Sequence, residues 1–476
     1  MSASGGFVPA TAERVIADIA IWAPQAANWP PVLIFSLVVG LLLIKAAYNV
    51  FFHPLARFPG PFLGRATLLW QYNNTATGKI HIAIEKLHRQ YGMPVISQRP
   101  IVRITPSELS FASVESWKAI YGHVTLGMPV AIKSPFYDVF GVWFRKSCIG
   151  SERNPKKHGE MRRMLSSAFS QRSLLKQEGT VARIVDRFIE IIGKKGGKGS
   201  QGLNMTKMVG FDVLGEMAFG ESFHSLEDGK PHFRSDLVED HLYLITLVDN
   251  LSRLPFRHAR QDRVPIDLSR PEPKFPVQQD RSGKVSVVET ENGYANSYQR
   301  RLSSKTGQRD FLTTLTEKVR TGEVGKEEMT AHVSTLAIAG GETVSTFLAG
   351  TTFFLLKNPD ALKKLTAEIR EVFGSLDEIG AQKAQQLSYL QAVINEGLRI
   401  YPPGSQGFPR ISPGFELHGE FIPPDTEIHT SAWAVTHGSK YCKDPMQFKP
   451  ERWTDPNSRD VKEASQPFSL GPRGCL

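Results

Sequence analysis

Cysteine is scarce in this chain. Three occur in 476 residues, Cys148, Cys442 and Cys475, and they lie far apart. An odd, sparse set excludes a disulfide framework and fits a reducing compartment. Acidic residues are outnumbered, 47 against 57 Lys and Arg, which leaves a formal net charge of +10. The basic residues are scattered rather than clustered, so no nucleic acid is expected as a partner. A basic face for an acidic protein or an anionic membrane surface fits better. No segment repeats at a fixed period. The glycine- and lysine-rich stretch at 193–200 lacks the order of glycine, lysine and hydroxyl that a phosphate loop requires, and reads as a flexible loop. With 41% hydrophobic and 22% charged residues, the composition is that of a globular protein with a sizeable core.

One long apolar run is present. It covers residues 31–44, is interrupted by Lys45 and continues to residue 52. Together this gives about 20 residues, enough to cross a bilayer, with Lys45 able to snorkel to the headgroups. A cleaved signal peptide and a core helix are the alternatives. The run starts late and lacks a basic n-region and a small-residue cleavage site, which favours a retained anchor over residues 31–52. Glu13, Arg14 and Asp18 precede it; Lys45, Arg57, Arg65 and Lys79 lie at its far end or beyond. The positive-inside rule then places residues 1–30 in the lumen and the body in the cytosol. The sequons at Asn73, Asn204 and Asn250 would go unread. Residues 53–62, with Pro54, Pro59, Gly60 and Pro61, read as a stiff, extended hinge.

Beyond the hinge, helical patterns cover 80–91, 209–219 and 240–251, and 94–109 reads as short strands around turns. Between 264 and 293 the periodicity breaks. Pro265, Pro271, Pro273 and Pro276 sit among charges there, as in a long surface loop or insert. Helical periodicity returns at 298–305 and 311–320. The longest helical pattern spans 327–356 and stops before Asn358-Pro359. Gly340 and Gly341 lie in its middle, where each weakens a helix by roughly 1 kcal/mol relative to alanine. Two reasons would justify them: close helix packing, or a local widening where a bound molecule reaches the backbone. Glu342 and Thr343 follow. An acid beside an alcohol can relay protons, while the plainer reading has Thr343 bonding back to a helix carbonyl.

His158 and Arg162 stand four apart on one helix face, an arrangement that by itself is a solvated surface. Glu396 and Arg399, three apart among Leu390, Val393, Ile394 and Leu398, suggest a buried pair, and a buried arginine needs further partners. Residues 408–430 read as strands and turns. The last nine residues contain Phe468, Gly471, Arg473, Gly474 and Cys475. The glycines permit unusual backbone angles and let a flat ligand approach. Arg473 supplies a fixed cation for a carboxylate or phosphate. A cysteine in such a loop suits an axial haem ligand; the bland alternative is a glycine turn with an unreactive thiol.

Taken in order, these stretches resemble the cytochrome P450 family of haem-thiolate monooxygenases. The resemblance rests on the Phe-x-x-Gly-x-Arg-x-Cys pattern ending at Cys475, on Ala339-Gly340-Gly341-Glu342-Thr343, and on Glu396-Gly-Leu-Arg399 followed by Pro450-Glu451-Arg452-Trp453. It implies a mainly α fold with small β-sheets after one N-terminal transmembrane helix, the catalytic domain covering 63–476. It implies haem b held by the Cys475 thiolate, with His158, Arg162, Arg410 and Arg473 on the propionates. Ala339, Gly340, Phe468 and Gly471 would line the cofactor, and residues 405–408 and Val344 the substrate. Glu342 and Thr343 would deliver protons for O–O cleavage, and Glu396, Arg399 and Arg452 would form a structural triad. The implied partners are O2, a small apolar substrate of fungal secondary metabolism, the endoplasmic reticulum membrane and an NADPH-dependent flavoprotein reductase. The family pattern also continues past the cysteine with a helix and a strand pair. Only Leu476 follows here, so the expectation is of a domain lacking its C-terminal part. A haem-poor, membrane-anchored remnant acting as a binding protein stays open as the other reading.

Overall fold

The apolar run folds as helix α1, Pro31–Phe51, long and apolar enough to cross a membrane, with a mean hydropathy of 2.2 over its most apolar window. Among the described residues none of that window is buried, and the helix meets the body near its end, at Asn49 and Val50. There the Asn49 side-chain amide donates to the Ala66 carbonyl at 2.9 Å, and Arg103 donates to the Asn49 carbonyl at 2.9 Å. In this computed structural model the described residues are 31–92, 99–123, 130–141, 146–166, 168–195, 202–219, 222–229 and 313–476. The expectations for 1–30, 240–251, 264–293 and 298–305 lie outside them.

Residues 53–62 differ from a stiff, extended hinge, turning through 54–57. Leu55 and Phe58 are drawn into the core beside Ile101, Leu109 and Phe111, because apolar side chains three apart among the prolines gain from burial. The chain is then held tightly against strand β1, Ile101–Thr105. The Arg103 amide donates to Pro59 at 2.7 Å, and a Cβ on Gly60 would lie 2.0 Å from the Arg103 carbonyl oxygen.

Strand β1 opens a five-stranded sheet with β2 (Glu108–Phe111), β3 (Ile132–Lys133), β4 (Arg410–Ile411) and β7 (Glu427–Thr430), in the order β1-β2-β7-β4-β3. A hairpin of β5 (Phe415–Leu417) and β6 (Glu420–Ile422) stands apart. Among the described residues only the β2–β7 pair is parallel; β4 meets β7 antiparallel, Arg410 facing Ile428. Helix α2 (Ile80–Tyr91) covers one face with Ile80, Ile84 and Leu87, and α3 (Val114–Tyr121) brings Trp117, Ile120 and Tyr121 into the main core. Ser113 caps α3 by accepting from the Ser116 amide.

The helical side of the molecule is built from α4 (Pro155–Ser166), α5 (Gly202–Leu214), α6 (Lys326–Lys357), α7 (Pro359–Val372) and α8 (Ser388–Ile400). Helix α6 ends where the Asn-Pro pair requires: Asn358 is its C-cap and Pro359 begins α7. A second core, with Leu165, Phe211, Met329 and Val333, joins α4, α5 and α6. Helix α8 starts against α7, whose Glu368 carboxylate accepts from the amides of Tyr389 and Leu390 at 2.7 and 2.8 Å. An acid placed at these free N–H groups also favours the helix dipole.

Helix α8 carries the triad. Glu396 is wholly buried and accepts both arms of Arg399 at 2.8 and 2.9 Å, and Arg452 Nε at 3.1 Å. The Trp453 indole and the Lys449 amide complete its oxygens at 3.0 and 2.8 Å. Arg399 also donates to the carbonyls of Thr436, Pro445 and Gln447, and Arg452 to Lys443 and to the Asp460 carboxylate. Glu396→Ala would leave two guanidiniums buried beside no carboxylate on α8, which costs roughly 3–5 kcal/mol. Trp453→Phe removes one donor from the carboxylate, leaves Arg399 on the same oxygen, and should cost less, about 1.5–3 kcal/mol. Urea unfolding of both variants checks the contrast; equal midpoints would refute it.

Candidate active site

The cysteine loop is a tight turn fastened at both ends. The Cys475 amide donates to Phe468 at 2.8 Å and the Gly474 amide to Gly471 at 3.1 Å. Gly471 has φ +67°, and a Cβ there would stand 2.2 Å from the Tyr121 carbonyl oxygen. Glycine is therefore required twice over, for the angle and for the space. The surface that crowds Gly471 is the chain's own backbone at the end of α3. Gly474 has ordinary extended angles, φ −60° and ψ 165°. Phe468 and Cys475 are exposed.

Helix α4 positions the next groups. Asn154 caps it, its side-chain oxygen accepting from the Lys156 and Lys157 amides, and Pro155 occupies the first turn. Two turns on, Arg162 reaches the cysteine loop, donating to the carbonyls of Gly474 and, at 2.9 Å, Cys475. Arg162 thus holds the loop itself. Arg473 reaches back the other way, donating to Glu152 and Arg153 carbonyls at 2.8 and 2.7 Å. Arg410, at the start of β4, is buried between two aromatic rings, 5.0 Å from the Tyr121 centroid and 5.4 Å from that of Tyr137, and donates to the Tyr137 hydroxyl at 2.8 Å.

These cations act on one another. Burial, then Arg473, lowers His158 to about 3, with Lys133, Arg162 and Arg410 adding to the effect. Burial, then Arg473 and Arg410, lowers Lys133 to about 7. Arg473 itself is lowered to about 10 by burial and by Arg410. Glu152 offsets part of this charge at Lys133 and Arg473, but its carboxylate already accepts from Ser147 and the Asn154 amide. A surplus of positive charge beside the cysteine loop suits a group with two carboxylates, so the donor set fits haem and its propionates. Sequence reasoning missed Lys133. It is buried on β3 with its ammonium on the Ile149 and Gly150 carbonyls at 2.8 and 2.7 Å, and no spacing motif marks it.

On helix α6 the two faces separate. Gly341 and Ser345 are buried against α5, where a Cβ on Gly341 would lie 3.1 Å from the Phe211 ring and one on Gly210 only 2.2 Å from Ser345 Oγ. Packing therefore explains the second glycine, and the helix runs unbroken through the pair. A Cβ on Gly340 would meet Leu214 at 3.1 Å. Ala339, Thr343 and Val344 lie on the open side. Thr343 Oγ1 donates to the Ala339 carbonyl at 2.6 Å, the back-bonded geometry, which leaves its lone pairs able to accept. Glu342, half-buried, sits at the boundary between the faces.

The displaced titration of His158 has a defined sign. Between its ordinary 6.5 and about 3 the unfolded chain binds a proton that the folded chain does not, so stability is present above pH 6.5 and falls as pH drops. For cofactor-free protein, His158→Phe should flatten the loss of stability between neutral pH and about pH 5 by close to one proton. Urea unfolding across that range reads the slope; an unchanged slope would exclude this assignment.

Comparison with known proteins agrees with this geometry. The cytochrome P450 family profile matches residues 59–476. Cytochrome P450 monooxygenase BOT4 of Botryotinia fuckeliana is 54% identical over 434 residues, covering 90% of this chain and 78% of that protein. Cytochrome P450 monooxygenase ORF9 of Penicillium roqueforti (strain FM164) is 52% identical over 443 residues, 92% of this chain and 81% of its own length. Cytochrome P450 monooxygenase hepD of Aspergillus oryzae (strain ATCC 42149 / RIB 40) is 36% identical over 467 residues, 93% and 83% of the two chains. With the cation cluster, the cysteine loop and the buried triad in one body, the chain belongs to the cytochrome P450 family of monooxygenases.

Proposed function

We propose that this monooxygenase binds haem b through the Cys475 thiolate and oxidises a small apolar metabolite of fungal secondary metabolism. The carrying observation is the cluster of buried Lys133 and Arg410, half-buried Arg473 and the neutral, buried His158, gathered beside the cysteine loop. When bound through a thiolate, haem supplies the one-electron and dioxygen chemistry, the sulfur pushing electron density that favours O–O cleavage.

The chain's own residues do the rest. Arg410, Arg473 and Lys133 take the two carboxylates, and in doing so Lys133 and Arg473 recover the basicity that burial has removed. Arg162 fixes the carbonyls on either side of the cysteine Cα. Ala339 and Val344 present apolar surface to the substrate. Thr343 holds a water that donates to its Oγ1, that water passes its other proton inward, and Glu342 replenishes it from the solvent side. The packed face of α6 against α5 keeps other water out.

Electrons come from NADPH through a membrane-bound flavoprotein reductase, which docks by charge on a chain of net charge +10. The setting is the endoplasmic reticulum membrane with the body in the cytosol. Support comes from α1 and from the exposed Phe51, Phe52, Phe62, Leu63 and Leu69 near its end, which suit the headgroup boundary.

Two outcomes test the chemistry. The reduced protein under carbon monoxide should show a strongly red-shifted, thiolate-type Soret band, lost in Cys475→Ala; a band that survives the substitution would refute the ligand assignment. Thr343→Ala should retain the band yet divert NADPH electrons to peroxide, with product per NADPH falling roughly tenfold or more, the scale of lost general acid–base assistance. Unaltered coupling would count against the proton-delivery role.

A further inference from the structure

Tyr121, the last residue of α3, is buried and touches three parts of the site at once. Its carbonyl oxygen is the surface against which Gly471 of the cysteine loop rests. Its ring lies 5.0 Å from the Arg410 guanidinium carbon. Its hydroxyl donates to the Phe408 carbonyl at 2.8 Å and accepts from the Thr430 amide at 3.0 Å.

The hydroxyl's place in the sheet is informative. Strands β4 and β7 pair with Arg410 opposite Ile428 and Ile411 opposite Glu427. Two residues further along the same register, Phe408 faces Thr430. On the other side, Ser412 donates to Thr426 at 2.8 Å, which makes that pair a hydrogen-bonded one. Such pairs recur every second residue, so Thr430 N–H would bond directly to Phe408 C=O in an uninterrupted ladder. The tyrosine hydroxyl stands between them instead. It keeps both backbone groups satisfied while holding the strands apart by the width of one oxygen. At the neighbouring Gly407, φ is +104° and a Cβ would lie 2.0 Å from the Thr430 carbonyl oxygen, so the chain swerves away there.

We propose that Tyr121 is a positioning residue of the haem site: its hydroxyl opens the end of the β4–β7 ladder and its ring and backbone lock that opening to Arg410 and the cysteine loop. The substrate-facing turn at 405–408 and the cofactor's carboxylate clamp are thereby set by one side chain. This rests on the haem reading above for its cofactor arm only; the ladder arm does not depend on it.

Two measurements test it. Amide hydrogen exchange on the wild-type protein should find Thr430 protected, with protection falling at least tenfold in Tyr121→Phe while β1 and β2 keep theirs. In holoenzyme, haem transfer to excess apomyoglobin should be roughly tenfold faster in Tyr121→Phe, the scale of one buried hydrogen bond. In an Arg410→Gln background the same substitution should add less than twofold, because the clamp it orients is already gone. A purely structural role would accelerate release equally in both backgrounds and lower thermal stability of the whole domain. That result, or a Thr430 amide that exchanges freely in the wild type, would overturn the proposal. If wild-type protein shows no thiolate-type band, the haem reading fails, and the exchange result still decides the ladder arm. If Tyr121→Phe does not fold, protection of Thr430 in the wild type remains the deciding measurement.

Discussion

One carboxylate organises the second half of the molecule. Glu396 lies where water cannot reach it, and its two oxygens take donors from Arg399, Arg452, Trp453 and the Lys449 backbone. Burying three charges is expensive unless nearly every donor and acceptor is used. Here the arginines spend their remaining arms on carbonyls from 436 to 447, so a stretch with little regular structure is fixed in place. That stretch, with Arg452 bonded to Asp460, lies ahead of the cysteine loop in the chain. The loop's position is therefore inherited from an electrostatic knot that touches neither sulfur nor cofactor.

The cation cluster follows the opposite logic. Glu396 is saturated with positive partners, whereas Lys133, Arg410 and Arg473 lean on carbonyls and aromatic rings. Neutral acceptors hold a guanidinium or ammonium in orientation without cancelling its charge. The lowered basicity of Lys133 and His158 is the signature of that arrangement, and it makes the site receptive to an anionic ligand.

What could be read from the sequence was whatever had a period or a fixed spacing. Helix α6 declared itself by length, periodicity and the Asn358-Pro359 stop; α1 by its apolar run; the triad by Glu-x-x-Arg followed by Pro-Glu-Arg-Trp. The long-range pieces had no such signal. Lys133 is one lysine in a two-residue strand, and Tyr121 one aromatic at a helix end. Their partners lie hundreds of residues away at 408–410 and 471–473, brought together by the sheet order β7-β4-β3 and by the packing of the cysteine loop on the end of α3. The second glycine of α6 was ambiguous for a related reason. Whether a glycine serves a ligand or a neighbouring helix depends on what faces it, and Phe211 of α5 is more than a hundred residues distant. Residues 53–62 were misleading locally: prolines suggest extension, but Leu55 and Phe58 find a core that lies elsewhere in the chain.

That proline stretch has a mechanical meaning. Gly60 and Gly64 sit so close to the Arg103 and Ile104 carbonyls that neither admits a side chain, and Asn49 and Arg103 bond across the same seam. The apolar helix α1 and the first strand are thus joined as by a weld. In the membrane setting proposed above, a bilayer that changed thickness and tilted α1 would carry the body round with it, so that lipid composition would set the angle at which the body meets the membrane.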